Sequence, residues 1–323
     1  MRFLLVLVRL SDWAPLATKE KPTAQERCRV CPPKTSFNLR IRDYSGDGVM
    51  DLRRTELDRL ARRVASILRA GSVLADEKPV AVVPGANELR DVVIPLLDWC
   101  RARKPSAARG IVGIAAPCGA GKTLLLSWLA ATARALDLRQ FAFAALDGYH
   151  LPNAVLDSRS GVDPAGNPVP LRLLKGTPPT YDTDSFLADL QVLKSSHQEL
   201  HLPMYSRQSH EPVACRISVG PQVEWVFVEG NFLFLDIAPW RRIRAVLDRK
   251  IYLDASDDVL RERLRLRHAA AGRGQQWIEA HFRRTDGPNI RLIRAHAHFA
   301  DVFFRWEKDK LLKETDAEHG FEG

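Results

Sequence analysis

The chain is short of cysteine, of long apolar runs and of internal repeats, and each shortage removes a class of protein. Five cysteines in 323 residues are few and odd in number, which argues against a disulfide-stapled secreted scaffold. Cys28 and Cys31 form one CxxC; a tetrahedral zinc site needs a second pair of ligands, no second CxxC follows, and the pair reads as part of a loop. No stretch reaches the roughly 18–20 apolar residues that span a bilayer, so no membrane partner is expected. The opening MRFLLVLVRL is broken by Arg9 and lacks a clean small-residue cleavage site. It is therefore not read as a secretory leader, and a reducing, cytoplasmic setting is expected.

What is present is an ordinary soluble composition, 46% hydrophobic and 27% charged, with a net charge of +9. The excess is local: Trp240 to Lys310 holds 17 Lys/Arg against 10 Asp/Glu. A nucleic-acid backbone or a compact polyphosphate would suit such a stretch, and so would a solvated helix face. Interleaved aromatics and a recognisable nucleic-acid module are missing, so no nucleic-acid partner is expected.

Residues 1–49 show no periodicity and read as a poorly structured arm, with Met50 as a candidate native start. From Met50 the pattern is helical, with Leu57, Leu60, Ala61, Val64, Ile67 and Leu68 on one face and Gly71 as a stop. A second helix is expected over 87–103, completing a helical extension over 50–108. From Gly110 the pattern changes to short apolar runs separated by helical stretches. Strands are expected at 111–116, 140–147, 223–230 and 249–255, and a helix from Lys122 to about Leu136. Runs that look buried on both faces and alternate with helices predict an α/β fold with a mostly parallel sheet.

The first of these strands runs into APCGAGKT, Ala116 to Thr123, one substitution from the phosphate-loop pattern G-x-x-x-x-G-K-[ST]. Small residues let backbone N–H groups approach phosphate oxygens, and the following helix N-terminus adds a favourable dipole. Ala116, Pro117, Cys118, Gly119, Ala120, Gly121, Lys122, Thr123 and Leu124 are the expected nucleotide cradle. Lys122 would reach the terminal phosphates and the Thr123 hydroxyl would ligate Mg²⁺. Ala116 stands where the pattern has its first glycine, whose usual service is an unusual backbone angle or a close approach.

Asp147, in LDGYHLPN, ends the second expected strand and so falls at the carboxyl edge of the sheet, beside the loop. A carboxylate there can take the proton of an attacking hydroxyl or help hold a metal. Glu229 ends VFVEG, where a buried carboxylate needs a partner; a metal or a structural hydrogen bond would serve. VLRERLRLRHAAAGRG, 259–274, carries Arg261, Arg263, Arg265 and Arg267. Arg263 and Arg267, four apart, share one helix face and are the candidates to meet a transferring phosphoryl group.

Taken in order, APCGAGKT, DGYHLPN, LLKGTPPTYD, LPMYSRQSHEP, VFVEGNFLF and GPNIRLI resemble the superfamily of phosphoribulokinase, uridine kinase and bacterial type I pantothenate kinase. They resemble in particular its nucleoside/nucleotide kinase branch, which includes fructose-transport-associated kinases. The resemblance covers roughly residues 109–300. It implies a doubly wound P-loop kinase fold with an arginine-bearing lid, here about 259–285 within a core of 109–313, followed by a tail, 314–323. It implies ATP and Mg²⁺ as cofactors and a small-molecule hydroxyl as acceptor, with Asp147 falling on the family's catalytic aspartate and Glu229 on an acidic residue near the metal. Candidate acceptor contacts are His150, Asn153, Lys175, Tyr181, Asp182, Tyr205, Arg207 and Asn289, each of which could equally serve the fold. Arg207 replaces the histidine of the pantothenate kinase pattern, a departure that suits an anionic acceptor. A homodimer is left open.

Overall fold

The computed structural model describes residues 50–70, 74–75, 78–79, 83–307 and 310–313. The expected arm, with Cys28 and Cys31, the stop at Gly71 and the tail after 313 lie outside the described residues. Helix α1, Met50–Arg69, follows its periodicity: Ala61, Val64, Ala65 and Leu68, at the i, i+3, i+4, i+7 spacing of one helix face, are buried. The second helix runs over 86–101 and contains a π-helical turn, Leu89–Val93, before α2, Ile94–Arg101.

The central sheet contains β1 (Gly110–Ala115), β2 (Phe141–Ala145), β5 (Trp225–Glu229), β6 (Arg249–Asp254), β7 (Val302–Glu307) and β8 (Lys310–Lys313). A separate antiparallel hairpin, β3 (Leu200–Ser206) with β4 (Glu211–Val219), precedes β5. The order across the sheet is β8-β7-β6-β1-β5-β2. Pairings among the first five strands of the chain's sheet are parallel and β8 closes the β7 edge antiparallel. Successive residues face opposite sides, as strand geometry requires. Val112, Ile114, Phe227, Ile251 and Phe304 enter one apolar cluster with α1 and the 86–101 helix. Ile111, Val226, Val228, Tyr252 and Phe303 enter a second on the other side. Burial of both faces is what made β1, β2, β5 and β6 readable as continuous apolar runs.

The remaining helices are α3 (Lys122–Ala135), α4 (Asn153–Ser158), α5 (Thr183–Ser195), α6 (Trp240–Val246), α7 (Asp257–Ala270), α8 (Gln275–His281) and α9 (Gly287–Ala295). Between α8 and α9 lies a second π-turn, Phe282–Asp286, so that 275–295 is one continuous, locally widened helix. β1 lies between β5 and β6, so the chain leaves it in opposite directions across the sheet. Such a reversal opens a crevice at the carboxyl ends of the strands. Arg109, immediately before β1, is fully buried; its guanidinium donates to the backbone carbonyls of Val223, Ser196, Gln198 and Gly220 and pins the far end of the sheet to the hairpin. Much of the basic excess after Trp240 is consumed internally: Arg241 and Arg244 pair with Asp236, Arg261 with Glu279, Arg265 with Glu262, and Arg294 with Asp254 and Asp257.

Candidate active site

The loop after β1 turns on two glycines. Gly119 and Gly121 have φ of 84° and 89°, a region that side chains rarely adopt, and Gly121 leads directly into α3. The Ala120 N–H donates to the Pro117 carbonyl at 3.2 Å, which closes the turn. Ala116 has no positive φ and is fully buried in the first apolar cluster. The position therefore makes no demand that only glycine meets, and its methyl is packing material. Leu124 packs against the same cluster from α3. Cys118 is buried and accepts from the Asn231 amide at 3.2 Å; burial pushes its thiol pKa up, so the side chain is an inert filler of the loop.

Lys122 and Thr123, at the start of α3, converge on Glu229 at the end of β5. The Thr123 hydroxyl donates to Glu229 Oε1 at 2.8 Å, and Lys122 Nζ stands 3.8 Å from Oε2. Glu229 is 1% exposed, and its Oε2 is buried without a hydrogen-bond partner. Burial raises its pKa, while the Lys122 cation and the Thr123 hydroxyl pull the other way and the Asp147 charge adds to the rise. A hydroxyl and carboxylates form an all-oxygen donor set, the kind a hard divalent cation takes. Glu229 Oε2, buried without a hydrogen bond and only in a long ion pair with Lys122, is the atom such an ion would satisfy, so these residues fit Mg²⁺.

β2 ends at Ala145, the register partner of Glu229. Asp147 follows in a single 3₁₀ turn, Leu146–Tyr149, rather than in the strand itself. Three contacts hold this turn. The Tyr181 hydroxyl donates to Asp147 Oδ1 at 3.4 Å. His150 and Tyr181 pair as an isolated bridge, with the Asp182 N–H donating to the Tyr149 carbonyl at 2.7 Å. The Tyr149 hydroxyl donates to Asp189 at 2.7 Å. The DGYHLPN and GTPPTYD segments, read separately in the sequence, are thus two strands of backbone bonded to each other.

The His150 ring packs on Tyr181 at 4.0 Å and Tyr205 at 5.1 Å between centroids. Burial lowers its pKa against the pull of Asp147, whose carbonyl lies 3.0 Å from Nδ1. Burial raises the Tyr181 hydroxyl pKa well above its ordinary value, reinforced by the Asp147 charge. Lys175 donates to Asn153 Oδ1 at 2.6 Å and to the His210 carbonyl at 2.8 Å, with Tyr205 beneath it at 5.2 Å. Asn153, Lys175 and the hairpin tip therefore form one polar cluster beside the aromatic group. Arg207 is exposed, and its charge reaches Glu229 and Tyr205.

Two candidates take the structural role that the sequence left open. Asp182 caps α5, its carboxylate accepting from the Ser185 N–H at 3.0 Å and hydroxyl at 2.7 Å. Asn289 is buried and donates to the Gly176 carbonyl at 2.9 Å, joining α9 to the loop before Tyr181. On α7, Arg263 reaches the Gly119 carbonyl at 3.4 Å and covers the Trp306 ring at 5.0 Å. Arg267 is exposed, with its charge felt at Cys118. Arg261 and Arg265 are held in ion pairs at 2.7 Å. The sequence reading missed Trp306, whose indole N–H donates to the Ala120 carbonyl at 2.7 Å; a tryptophan in an unrecognised strand carries no motif to find it by.

No family model matches the chain. The uncharacterised protein YggC of Escherichia coli (strain K12) is 32% identical over 219 residues, 67% of this chain and 86% of that one. A pantothenate kinase from Rhodopseudomonas palustris (strain HaA2) is 31% identical over 160 residues, 47% of each chain. A solved structure from Silicibacter sp. TM1040, provisionally described as a fructose transport system kinase, aligns with a TM-score of 0.54 at 27% identity. It covers 67% of this chain and 97% of that one. The glycine turn, the Lys-Thr pair and the carboxylates at the strand ends define an α/β P-loop kinase. Within that class, the chain belongs to the superfamily of phosphoribulokinase, uridine kinase and type I pantothenate kinase.

Proposed function

We propose that the protein is an ATP-dependent kinase that transfers the γ-phosphoryl group to a hydroxyl of a small metabolite such as a sugar or nucleoside. The observation that carries this reading is the placement of Asp147, one turn beyond the strand paired with Glu229 and hydrogen-bonded to Tyr181. Its carboxylate is the candidate general base for the acceptor hydroxyl. The Tyr181 hydroxyl, kept protonated by burial, orients that carboxylate as a donor. Lys122 would bind the terminal phosphates, and Thr123 and Glu229 would hold the metal. Mg²⁺ when bound supplies charge neutralisation on the phosphates, the larger part of what phosphoryl transfer asks of a protein. Arg263 and Arg267 are the candidate lid cations.

The acceptor would lie against His150, Tyr181 and Tyr205, with Lys175 and Asn153 as polar contacts and Arg207 at the edge. Cations beside aromatic faces suit a polar, partly anionic metabolite. A nucleoside or nucleotide kinase proper differs only in acceptor. The test is an ATP-consumption screen over uridine, ribulose 5-phosphate, pantothenate, glycerate and hexoses, with Asp147→Asn as the paired control. An acceptor that stimulates turnover is expected, with the variant slower by about 10²–10⁴, the usual contribution of general-base help, and ATP affinity nearly retained. Equal turnover by the variant would remove Asp147 from the role.

A further inference from the structure

Beside the crevice, but outside the residues assigned to it, α7 and the widened helix beyond it bring two imidazoles and a carboxylate together. His268 Nε2 bonds Asp286 Oδ2 at 3.0 Å and His281 Nε2 lies 3.8 Å from the same oxygen. The three ligating atoms all fall within 4.8 Å of one another. We propose that His268, His281 and Asp286 bind a transition-metal ion of the Zn²⁺ type and that this ion locks α7 to the helix carrying GPN.

The spacing is the first argument. Zinc holds nitrogen and carboxylate oxygen at about 2.0–2.2 Å in a tetrahedron, which separates neighbouring ligand atoms by about 3.3–3.5 Å. The two histidine–carboxylate distances of 3.0 and 3.8 Å bracket that value and the third separation is within 4.8 Å, so side-chain rotations can bring the three ligands onto one ion and leave a fourth position for water.

The backbone is the second. Residues five apart in an α-helix sit about 140° from each other around the axis and could not share an ion. His281 and Asp286 are five apart, and the segment between them is the π-turn Phe282–Asp286. A π-turn bonds i to i+5 and so aligns such residues. The local irregularity that costs helix regularity is what assembles the cluster. Trp277 stacks on the His281 ring at 4.6 Å and 10° and meets His268 at 5.3 Å, an apolar wall of the kind that fixes ligand rings and limits water.

Chemistry chooses the ion. Two imidazoles favour zinc-like metals over Mg²⁺, which prefers an all-oxygen shell, so this site and the Thr123–Glu229 site take different cations. An ionised Asp286 only accepts, so His268 Nε2 carries the proton between them. Zn²⁺ would take that proton's place on Nε2, and the neutral ring would carry its single proton on Nδ1 instead. The nearby charges of Arg267 and Arg284 reach His281 and oppose a cation, so the site is weaker than an all-thiolate structural zinc site.

The experiment is calorimetric titration of Zn²⁺ into the chelator-treated full chain in excess Mg²⁺. One Zn²⁺ per chain is expected, with His268→Ala and His281→Ala each weakening it by about 10-fold or more. Co²⁺ in its place should give a visible absorption band that both variants lose. Should a variant fail to fold, histidine acylation read by mass spectrometry on the wild-type chain decides. Zn²⁺ is expected to shield His268 and His281 while leaving exposed His201 reactive. Absent binding by the wild type, unchanged affinity in folded variants, or equal acylation with and without Zn²⁺ overturns the proposal.

Discussion

A Cβ on Gly148 would stand 2.4 Å from the Pro203 carbonyl oxygen and 3.2 Å from Met204 Cα, so the turn that carries Asp147 and β3 lie backbone against backbone. The glycine of DGYH is there for this approach: its φ is not in the left-handed region. Gly148→Ala must lift the hairpin or shift Asp147. A loss of about 1–3 kcal/mol, the cost of overpacking a filled site, is expected in urea unfolding, with a rise in acceptor KM. An unchanged unfolding midpoint would mean the hairpin is held elsewhere.

Glu229→Gln keeps the shape and the bond from Thr123 but removes the charge beside Lys122. The Mg²⁺ concentration giving half-maximal turnover should rise by about 10–100-fold, the range seen when a metal site loses a supporting group. A variant with the wild-type Mg²⁺ dependence would show that the ion is held without this carboxylate.

His150 makes stability depend on pH with a defined sign. Its folded pKa lies below the ordinary 6.5 because burial disfavours the cation. As pH falls through about 6.5, the unfolded chain binds a proton that the native chain refuses, so stability declines from there down to the folded value and is flat above. Unfolding midpoints at about pH 7.5 and 5.5 should therefore differ more in wild type than in His150→Asn. Equal differences would exclude His150 as the source.

Arg263 and Arg265 allow a proposed lid cation to be compared with a surface ion pair on the same helix. Arg263→Ala is expected to cost about 10³-fold in kcat, the low end for an arginine acting on a transferring phosphoryl. Arg265→Ala, which breaks an exposed pair with Glu262 at 2.7 Å, should change it little, since such pairs contribute about 0–1 kcal/mol. Steady-state rates at saturating ATP distinguish them, and equal effects would point to a general loosening of α7.

Legibility followed burial. β1, β2, β5 and β6 were readable because both their faces are covered. β7 was not, because Arg305 is exposed between buried Phe304 and Trp306 and the run looks mixed. The β3–β4 hairpin is largely surface, with a register irregularity between Leu202 and Met204, and offers no clean alternation. Lys122, Thr123, Asp147 and Glu229 stood out because strand ends and glycine turns have sequence signatures. The capping role of Asp182 was open to the eye as a residue three before Ser185, but a substrate role was equally open. The His268–His281–Asp286 cluster was hidden because it needs a π-turn, which apolar periodicity does not announce.

Trp306 is buried, meets Trp128 of α3 edge-on at 6.0 Å and donates to the Ala120 carbonyl. A strand near the end of the fold thus grips the loop near its middle, 186 residues away in sequence. Anything that stiffens or rotates that loop must alter the surroundings of the Trp306 indole, an intrinsic optical gauge of the loop's own state.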